Sequence, residues 1–397
     1  MKIAIVSDFY LDYVGGAQTS IAEQTASLRG AGHTVLVVTA ARGLKRTERD
    51  AAGIRIKPSY TVPGVLLPVI KNREPLQELL RSFLSEEAVD VVHVQTEFGL
   101  AHAITTVAYS LQIPVVHTVH TFYWQSHGAF PTLAEPLMRS LLTSITRAKI
   151  GDTPFSDRPA DSLLRNLTLA MAQRADVVVS PSEHQGIDLA NAGVGRPVAV
   201  VPNPIAGAAT PAVALENVTE PRIAWVARCE PEKRPIMFVE GVIAALEHTE
   251  NGFSVDIVGD GSQLGEVRAL AAAYPQIRVH GGLPHDRVIE LIDQSSMVAL
   301  TSLGFDNQPM TIAEAVSRYR GVLFCDPQLR EGLGESGYLT PTPDVTGITR
   351  AIIDLVTKPG RLEELSAGAV TDAATFSGDT FVERILDVYA RAAAEAH

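Results

Sequence analysis

Two stretches of this chain carry residue types that handle phosphates and sugar hydroxyls. The first, Arg228-Cys229-Glu230-Pro231-Glu232-Lys233-Arg234, follows the apolar run Ile223–Ala227. Arg228 at a strand end and Lys233 five residues on can neutralise a diphosphate, the guanidinium forking to two oxygens and the ammonium acting as a point charge. The same residues also suit a solvated loop in which Glu230 and Glu232 hold the cations. The second stretch, Phe305-Asp306-Asn307-Gln308-Pro309-Met310-Thr311-Ile312-Ala313-Glu314-Ala315, sets two carboxylates eight positions apart. A loop leading into a helix can aim Asp306 and Glu314 into one cleft, where carboxylates accept hydrogen bonds from sugar hydroxyls.

Glycines mark two further places. Gly15-Gly16 lies between the first apolar run and a helix-length segment. Paired glycines there let a ligand approach the backbone, and the helix N-terminus favours an anion; a turn that needs positive φ would use the same residues. Gly259-Asp260-Gly261 also follows a strand, but it is not a dinucleotide fingerprint. The third glycine of that pattern, Gly265, is one position late, and the next strand ends at His280 rather than at an acid. Metal chemistry has no clear seat. No two Asp stand two apart, Cys229 and Cys325 are far from each other, and His117 and His120 fall on opposite faces if the strand runs through both.

The elements that must position these residues read as a repeated βαβ rhythm. Strands are expected at Ile3–Val6, Thr34–Thr39, Val89–Val94, Val115–Val119, Val177–Val179 and Val198–Val201, as continuous apolar runs covered on both faces. Helices lie between them, for example Ala17–Ala31, stopped by Gly32. After Pro202-Asn203-Pro204, the aperiodic stretch from Gly207 to Pro221 reads as a linker. Strands then resume at Ile223–Ala227, Ser254–Val258, Ile277–His280, Met297–Leu300 and Val322–Cys325, and Thr380–Ala396 has good helical period. The expectation is an α/β protein of two doubly wound parallel-sheet domains, 1–205 and 206–378, with a final helix at 379–397 packing back on the first and a cleft at the strand ends.

Composition narrows the partners. With 33 Lys+Arg against 45 Asp+Glu in 397 residues, the net charge is −12, which argues against nucleic acid. The 46% of apolar residues are ample for a folded core. Asp8 interrupts the N-terminal apolar run too early for a signal peptide, and no run of 18 apolar residues occurs, so a cytoplasmic protein is expected. The segment 137–149 mixes apolar residues with Arg139, Arg147 and Lys149. It fits either a helix lying in a membrane interface or an ordinary helix with its apolar side in the core.

Taken in order, these motifs resemble the retaining glycosyltransferases of family 4, and the resemblance covers nearly the whole chain. Gly15-Gly16 resembles the glycine loop after the first strand, and Val92-His93-Val94-Gln95 and His117-Thr118-Val119-His120-Thr121 resemble two more strand ends facing the cleft. Pro202-Asn203 precedes the linker, Arg228 and Lys233 resemble the diphosphate-binding pair, Gly259-Asp260-Gly261 the next loop, and Asp306…Glu314 the E-x7-E motif. The resemblance implies a GT-B fold of two facing Rossmann-like domains. It also implies transfer of a hexose, with retention and without a metal or other cofactor, from a nucleotide-diphosphate sugar to an acceptor hydroxyl.

By the same resemblance Arg228 and Lys233 would hold the departing diphosphate and Glu314 the ribose. Asp306 and His120 would meet the transferred sugar, while Gly15, Gly16, Gly259, Asp260, Asn307, Gln308, Met310 and Thr311 would complete the donor site. A UDP-sugar is the commoner donor in that family. The stretch from His117 to Tyr123 is similar to one in lipid glucosyltransferases, which implies a lipid acceptor and peripheral membrane contact; a soluble sugar acceptor is the alternative. Three departures bear on sugar specificity: Asp306 is one methylene shorter than the family's Glu, Pro309 replaces a glycine and lacks its N–H, and Gly321 falls one residue late after Ala315. They also leave open a binding protein without turnover. An epimerase or a phosphorylase would share the architecture, and no lysine motif for a phosphorylase cofactor stands out.

Overall fold

The computed structural model describes residues 1–12, 15–43, 46–62, 67–124, 135–205, 211–249 and 252–396. Tyr13-Val14 of the glycine loop and 207–210 of the expected linker lie outside the described residues. The chain forms two compact units. One comprises Met1–Asn203 with Gly378–His397, and the other Pro204–Ser377.

In the first unit the strands are β1 (Lys2–Tyr10), β2 (Thr34–Ala40), β3 (Glu48–Asp50), β4 (Gly53–Ile56), β5 (Tyr60–Val62), β6 (Leu67–Val69), β7 (Val91–Val94), β8 (Val115–Thr118), β9 (Val177–Ser180) and β10 (Val198–Val200). Its helices are α1 (Gly16–Gly30), α2 (Glu74–Glu86), α3 (Gly99–Ser110), α4 (Glu135–Thr146), α5 (Pro159–Ala172) and α6 (Glu183–Asn191). The eight-stranded sheet runs β10-β9-β8-β7-β1-β2-β4-β3, while β5 and β6 form a separate hairpin. Ile3 to Val6 are wholly buried because the central strand is covered on both sides. Ala4 and Val6 face one core, and Ile3 and Ile5 face another that includes Phe381, Ile385 and Tyr389 of the C-terminal helix. Helix α1 ends as its sequence predicts. Gly32 takes φ +85°, its N–H reaches Arg29 O at 3.0 Å, and His33 N–H reaches Leu28 O at 3.1 Å.

The second unit contains β11 (Arg222–Val226), α7 (Pro235–His248), β12 (Ser254–Val258), α8 (Leu264–Ala271), β13 (Ile277–Gly281), α9 (His285–Asp293), β14 (Met297–Leu300), α10 (Met310–Ser317), β15 (Gly321–Phe324), β16 (Gly337–Leu339), α11 (Val345–Thr357) and α12 (Arg361–Asp372). All strands are parallel, in the order β13-β12-β11-β14-β15-β16. Ile223 and Trp225 face α7 and α11, and Ala224 faces the α9 and α10 side, so β11 is again a fully covered central strand. The chain finishes in α13 (Gly378–Glu395), which packs on α1 and β8 of the first unit.

The short strands β3 to β6 and β16 escape a reading of apolar runs. Glu48-Arg49-Asp50 is exposed throughout, and its place is set by pairing with β4. The 135–146 helix covers most of the 137–149 segment and buries one side. Leu142 and Ile145 are buried, whereas Leu137 and Leu141 are 76% and 48% exposed.

Candidate functional site

In the second unit the strand order reverses between β11 and β14, and ligands of parallel α/β sheets bind outside the carboxyl ends of strands at such a switch point. The loops leaving these two strands carry the singled-out charges. After β11 a short 3-10 turn, Pro231–Lys233, leads into α7 through Arg234, which adopts φ +59°. Arg234 is held there by its guanidinium, which donates to Thr301 O at 3.2 Å and to Pro343 O. Thr301, just past β14, donates its hydroxyl to Lys233 O at 2.8 Å and accepts the indole N–H of buried Trp225 at 3.0 Å. The backbone of Lys233 is thus tied to both strands of the switch point.

The side chain of Lys233 turns to Asp306. Its ammonium is hydrogen-bonded to Asp306 Oδ1 and lies 5.2 Å from the centroid of the Phe305 ring. Both partners are nearly buried, 13% and 10% exposed. Asp306 Oδ2 is buried and has no hydrogen-bond partner among the described residues. Arg228 behaves differently. It is 62% exposed and pairs at 2.8 Å with Glu232, whose side chain is buried. The loop reading of the sequence therefore describes Arg228, whereas Lys233 is held by a carboxylate 73 residues away.

Gly259 and Gly261 have a structural reason. Both have positive φ, and a Cβ on Gly259 would stand 1.7 Å from Ala227 O, with one on Gly261 2.6 Å from Cys229 O. The loop after β12 is packed backbone to backbone on the loop carrying Arg228, through Cys229 N–H to Asp260 O at 2.9 Å and Gln263 N–H to Cys229 O at 2.9 Å. Asp260 is exposed and accepts from Gly261 N–H at 2.8 Å. Glu230 accepts from the Ser262 hydroxyl at 2.5 Å.

The remaining candidates cluster at the start of α10. Asn307 is buried, Gln308 half-buried, and Pro309 stands immediately before the helix with the buried Met310 at its first position. Thr311 donates its hydroxyl to Val226 O at 3.1 Å, fastening the helix to β11. Glu314 lies one turn further in, buried, with its Oε1 3.8 Å from His285 Nδ1.

The first unit has its own switch point, between β1 and β7. Gly15 and Gly16 follow β1 at the start of α1. Gly15 has φ −166°, which any residue adopts, and a Cβ on Gly16 would meet no atom within 4 Å. Backbone strain at these two residues therefore does not account for the pair. His120, just beyond β8, is half-buried, and its Nε2 lies 2.7 Å from Gln95 Oε1. Burial keeps its ring neutral, lowering its pKa to about 4.

Two carboxyls not among the sequence candidates sit at the same strand ends. Asp8 is wholly buried and accepts from Leu100 N–H at 2.7 Å, Ala101 N–H at 3.2 Å and the Thr96 hydroxyl at 2.8 Å, which caps α3. Burial raises its pKa to about 6. Glu97 accepts from the Thr168 hydroxyl at 2.9 Å, and burial pushes it up to about 8, so it is mostly protonated at neutral pH. Neither belongs to a spacing motif; both owe their state to packing between distant segments.

Apart from Asp8, the residues singled out at both switch points lie within spans that match known families. The family described as Glycosyltransferase Family 4 matches residues 14–206, and the one described as Glycosyl transferases group 1 matches residues 220–358. An alpha-monoglucosyldiacylglycerol synthase from Acholeplasma laidlawii is 32% identical over 31% of this chain and 30% of its own length. The first curated relatives are thus matched over less than a third of their length. A D-inositol 3-phosphate glycosyltransferase from Acidothermus cellulolyticus is 27% identical over 96% of this chain and 86% of its own. Among solved structures, the Anabaena protein HepE in complex with UDP-glucose is similar over 98% of this chain and 99% of its own, at 15% identity and a TM-score of 0.64. Two glycosyltransferase families matched in chain order, on two mostly parallel sheets with this strand order, define the lineage: the chain belongs to the family 4 glycosyltransferases and has the GT-B fold.

Proposed function

We propose that this protein is a retaining hexosyltransferase that moves a hexose from a nucleotide-diphosphate sugar, UDP-linked in preference to GDP-linked, to an acceptor hydroxyl, with no metal in the step. The observation that carries the reading is Lys233 beside Asp306 at the switch point of the second sheet, with Arg228 on the same loop. Negative charge grows on the diphosphate as the glycosidic bond breaks. A lysine already aimed across the strand ends and an exposed arginine are suited to stabilise it, each contributing about 2–4 kcal/mol. Binding of the diphosphate would draw Lys233 from Asp306 and free that carboxylate to accept a hydroxyl of the transferred sugar. Glu314 is the candidate for the ribose hydroxyls. His120, neutral at physiological pH, is the first unit's candidate for the transferred hexose.

For the acceptor we favour a membrane lipid. Leu137 and Leu141 form an exposed apolar ridge one helical turn apart on α4, with Arg147 and Lys149 just beyond it also exposed, and the Acholeplasma relative is named for a glucosylated diacylglycerol. A soluble acceptor is the second reading, favoured by the longer match to the inositol phosphate enzyme.

Incubation with UDP-, GDP- and ADP-sugars, with and without anionic vesicles carrying diacylglycerol, tests the reading through released nucleotide diphosphate. Release from one donor, abolished by Lys233→Ala and by Glu314→Ala, is the expected result. Nucleotide binding without release from any donor under either condition would favour a binding protein, and no nucleotide binding would end the proposal.

A further inference from the structure

A buried chain of polar side chains runs through the first unit and ends at His120. Asn203 Oδ1 accepts from the Ser20 hydroxyl at 2.5 Å and from Gln24 Nε2 at 3.2 Å. Gln24 Nε2 also donates to Ser20 Oγ at 2.9 Å, so Gln24 presents its carbonyl oxygen to Gln95, whose Nε2 donates to it at 2.9 Å. The Gln95 amide is thereby turned with Oε1 toward His120 Nε2, 2.7 Å away. Ser20, Gln24, His93, Gln95 and Asn203 are all buried.

Proton accounting fixes the rings. A carbonyl oxygen only accepts, so His120 donates from Nε2, and Nδ1 is the acceptor nitrogen of the neutral ring. Gln95 Nε2 also lies 3.2 Å from His93 Nε2, which makes that nitrogen an acceptor and places the His93 proton on Nδ1, 2.8 Å from Tyr389 OH. Thr118 Oγ1, 2.7 Å from His93 Nε2, fits the same arrangement as a donor. One amide thus sets opposite tautomers on two histidines. Among the described residues, the titratable groups that interact with them are each other, His117 and Tyr389, and burial holds all three imidazoles neutral.

We infer that Gln95 is a positioning residue that locks His120 as its Nε2–H tautomer, so that Nδ1 is the nitrogen offered to a hydroxyl of the transferred sugar, with Gln24 and Asn203 keeping the Gln95 amide the right way round. The catalytic half of this inference rests on the reading of His120 given above; the tautomer does not. A glutamine that merely fills space at the end of β7 would leave the tautomer of His120 free to vary.

The test is long-range 1H–15N correlation on the full chain labelled at histidine nitrogen, with resonances assigned from His93→Ala and His120→Ala. The expected result is a protonated Nε2 on His120 and a protonated Nδ1 on His93. Gln95→Leu should mix the tautomers of His120 and lower kcat about tenfold, which is what loss of one well-aligned neutral hydrogen bond to the sugar is worth, with little change in donor KM. A protonated Nδ1 on His120 in the unaltered protein would overturn the inference, and so would loss of activity in Gln95→Leu with unchanged His120 resonances. Should Gln95→Leu fail to fold, Gln24→Leu perturbs the same chain one link further out, and the tautomers of the unaltered protein remain decisive. Full transfer by His120→Ala would remove the catalytic role of His120 while leaving the tautomer lock standing.

Discussion

The Lys233–Asp306 pair makes a quantitative claim about the second unit. Its two side chains are 13% and 10% exposed, and Asp306 Oδ2 has no partner among the described residues, so Lys233 is the main compensation for a nearly buried carboxylate. Removing one member of a fully buried pair costs about 3–5 kcal/mol, chiefly because the other is stranded; residual exposure here lowers the expectation to about 2–3 kcal/mol. Replacing both should cost much less, since no charge is then left behind.

The assay is a double-mutant cycle on Lys233→Met and Asp306→Leu, read by urea unfolding of the second unit through Trp225, the only tryptophan there. We expect a coupling of about 2 kcal/mol without ligand. Under the proposed chemistry the coupling falls in saturating UDP, because the diphosphate then takes over the lysine. A coupling below about 0.5 kcal/mol without ligand would refute the argument that the two charges depend on each other, and a coupling unchanged by UDP would refute the exchange of partners.

Three further outcomes follow from particular residues. Gly259→Ala places a Cβ against Ala227 O at φ +144° and should destabilise the second unit by about 3 kcal/mol or more, whereas Gly16→Ala meets open space and should leave melting within about 1 kcal/mol while lowering transfer; parallel thermal melts and activity assays separate the two. The first unit should be most stable at about pH 7, where the protons bound by the four unfolded histidines fall to the one held by folded Glu97. Below that pH an unfolded chain protonates His93, His102, His117 and His120, whose folded pKa values burial lowers to about 3, 3, 3 and 4, so each removes about 1.4 kcal/mol per pH unit; above it the contribution of protonated Glu97 is lost up to about pH 8 at a similar slope. Stability that rises steadily from pH 5.5 to 8 in denaturant titrations would contradict this assignment. Finally, Leu137→Ser with Leu141→Ser should weaken sedimentation with anionic vesicles about tenfold or more and leave melting unchanged, since both side chains are exposed.

Much of the fold is legible in the sequence because its central strands are covered on both faces. Ile3–Val6 and Ile223–Trp225 have no solvent side and hence no polar alternation, and the glycines and prolines between such runs punctuate them clearly. The strands β3 to β6 carry no such signal, since their pairing is decided by the neighbouring strand rather than by their own composition. Among the site residues, Lys233 and Asp306 could be nominated by type and spacing. Their direct pairing could not, because it depends on two loops 73 residues apart meeting across adjacent strands. Glu97 shows the limit more sharply. Its proton is held because burial penalises the carboxylate by more than the opposing hydrogen bond from Thr168 favours it, and nothing near position 97 encodes that enclosure.

The charges at the second switch point also bear on how the proposed phosphate-binding surface would work on a protein of net charge −12. Lys233 is paired with Asp306 and Arg228 with Glu232, so each of these two cations already has a carboxylate partner. A diphosphate can recruit both cations only by displacing both carboxylates. The energetic consequence differs between the two. Arg228, mostly in water, gives up a screened pair worth about 1 kcal/mol or less, whereas releasing Asp306 leaves a nearly buried carboxylate whose second oxygen already has no partner among the described residues. That carboxylate must then be satisfied by something that arrives with the phosphate. A sugar hydroxyl attached to the same diphosphate meets the requirement, and a free nucleotide diphosphate does not. By this reasoning the pair discriminates between donor and product, and Asp306→Asn, which removes the stranded charge, should tighten UDP more than it tightens a UDP-sugar.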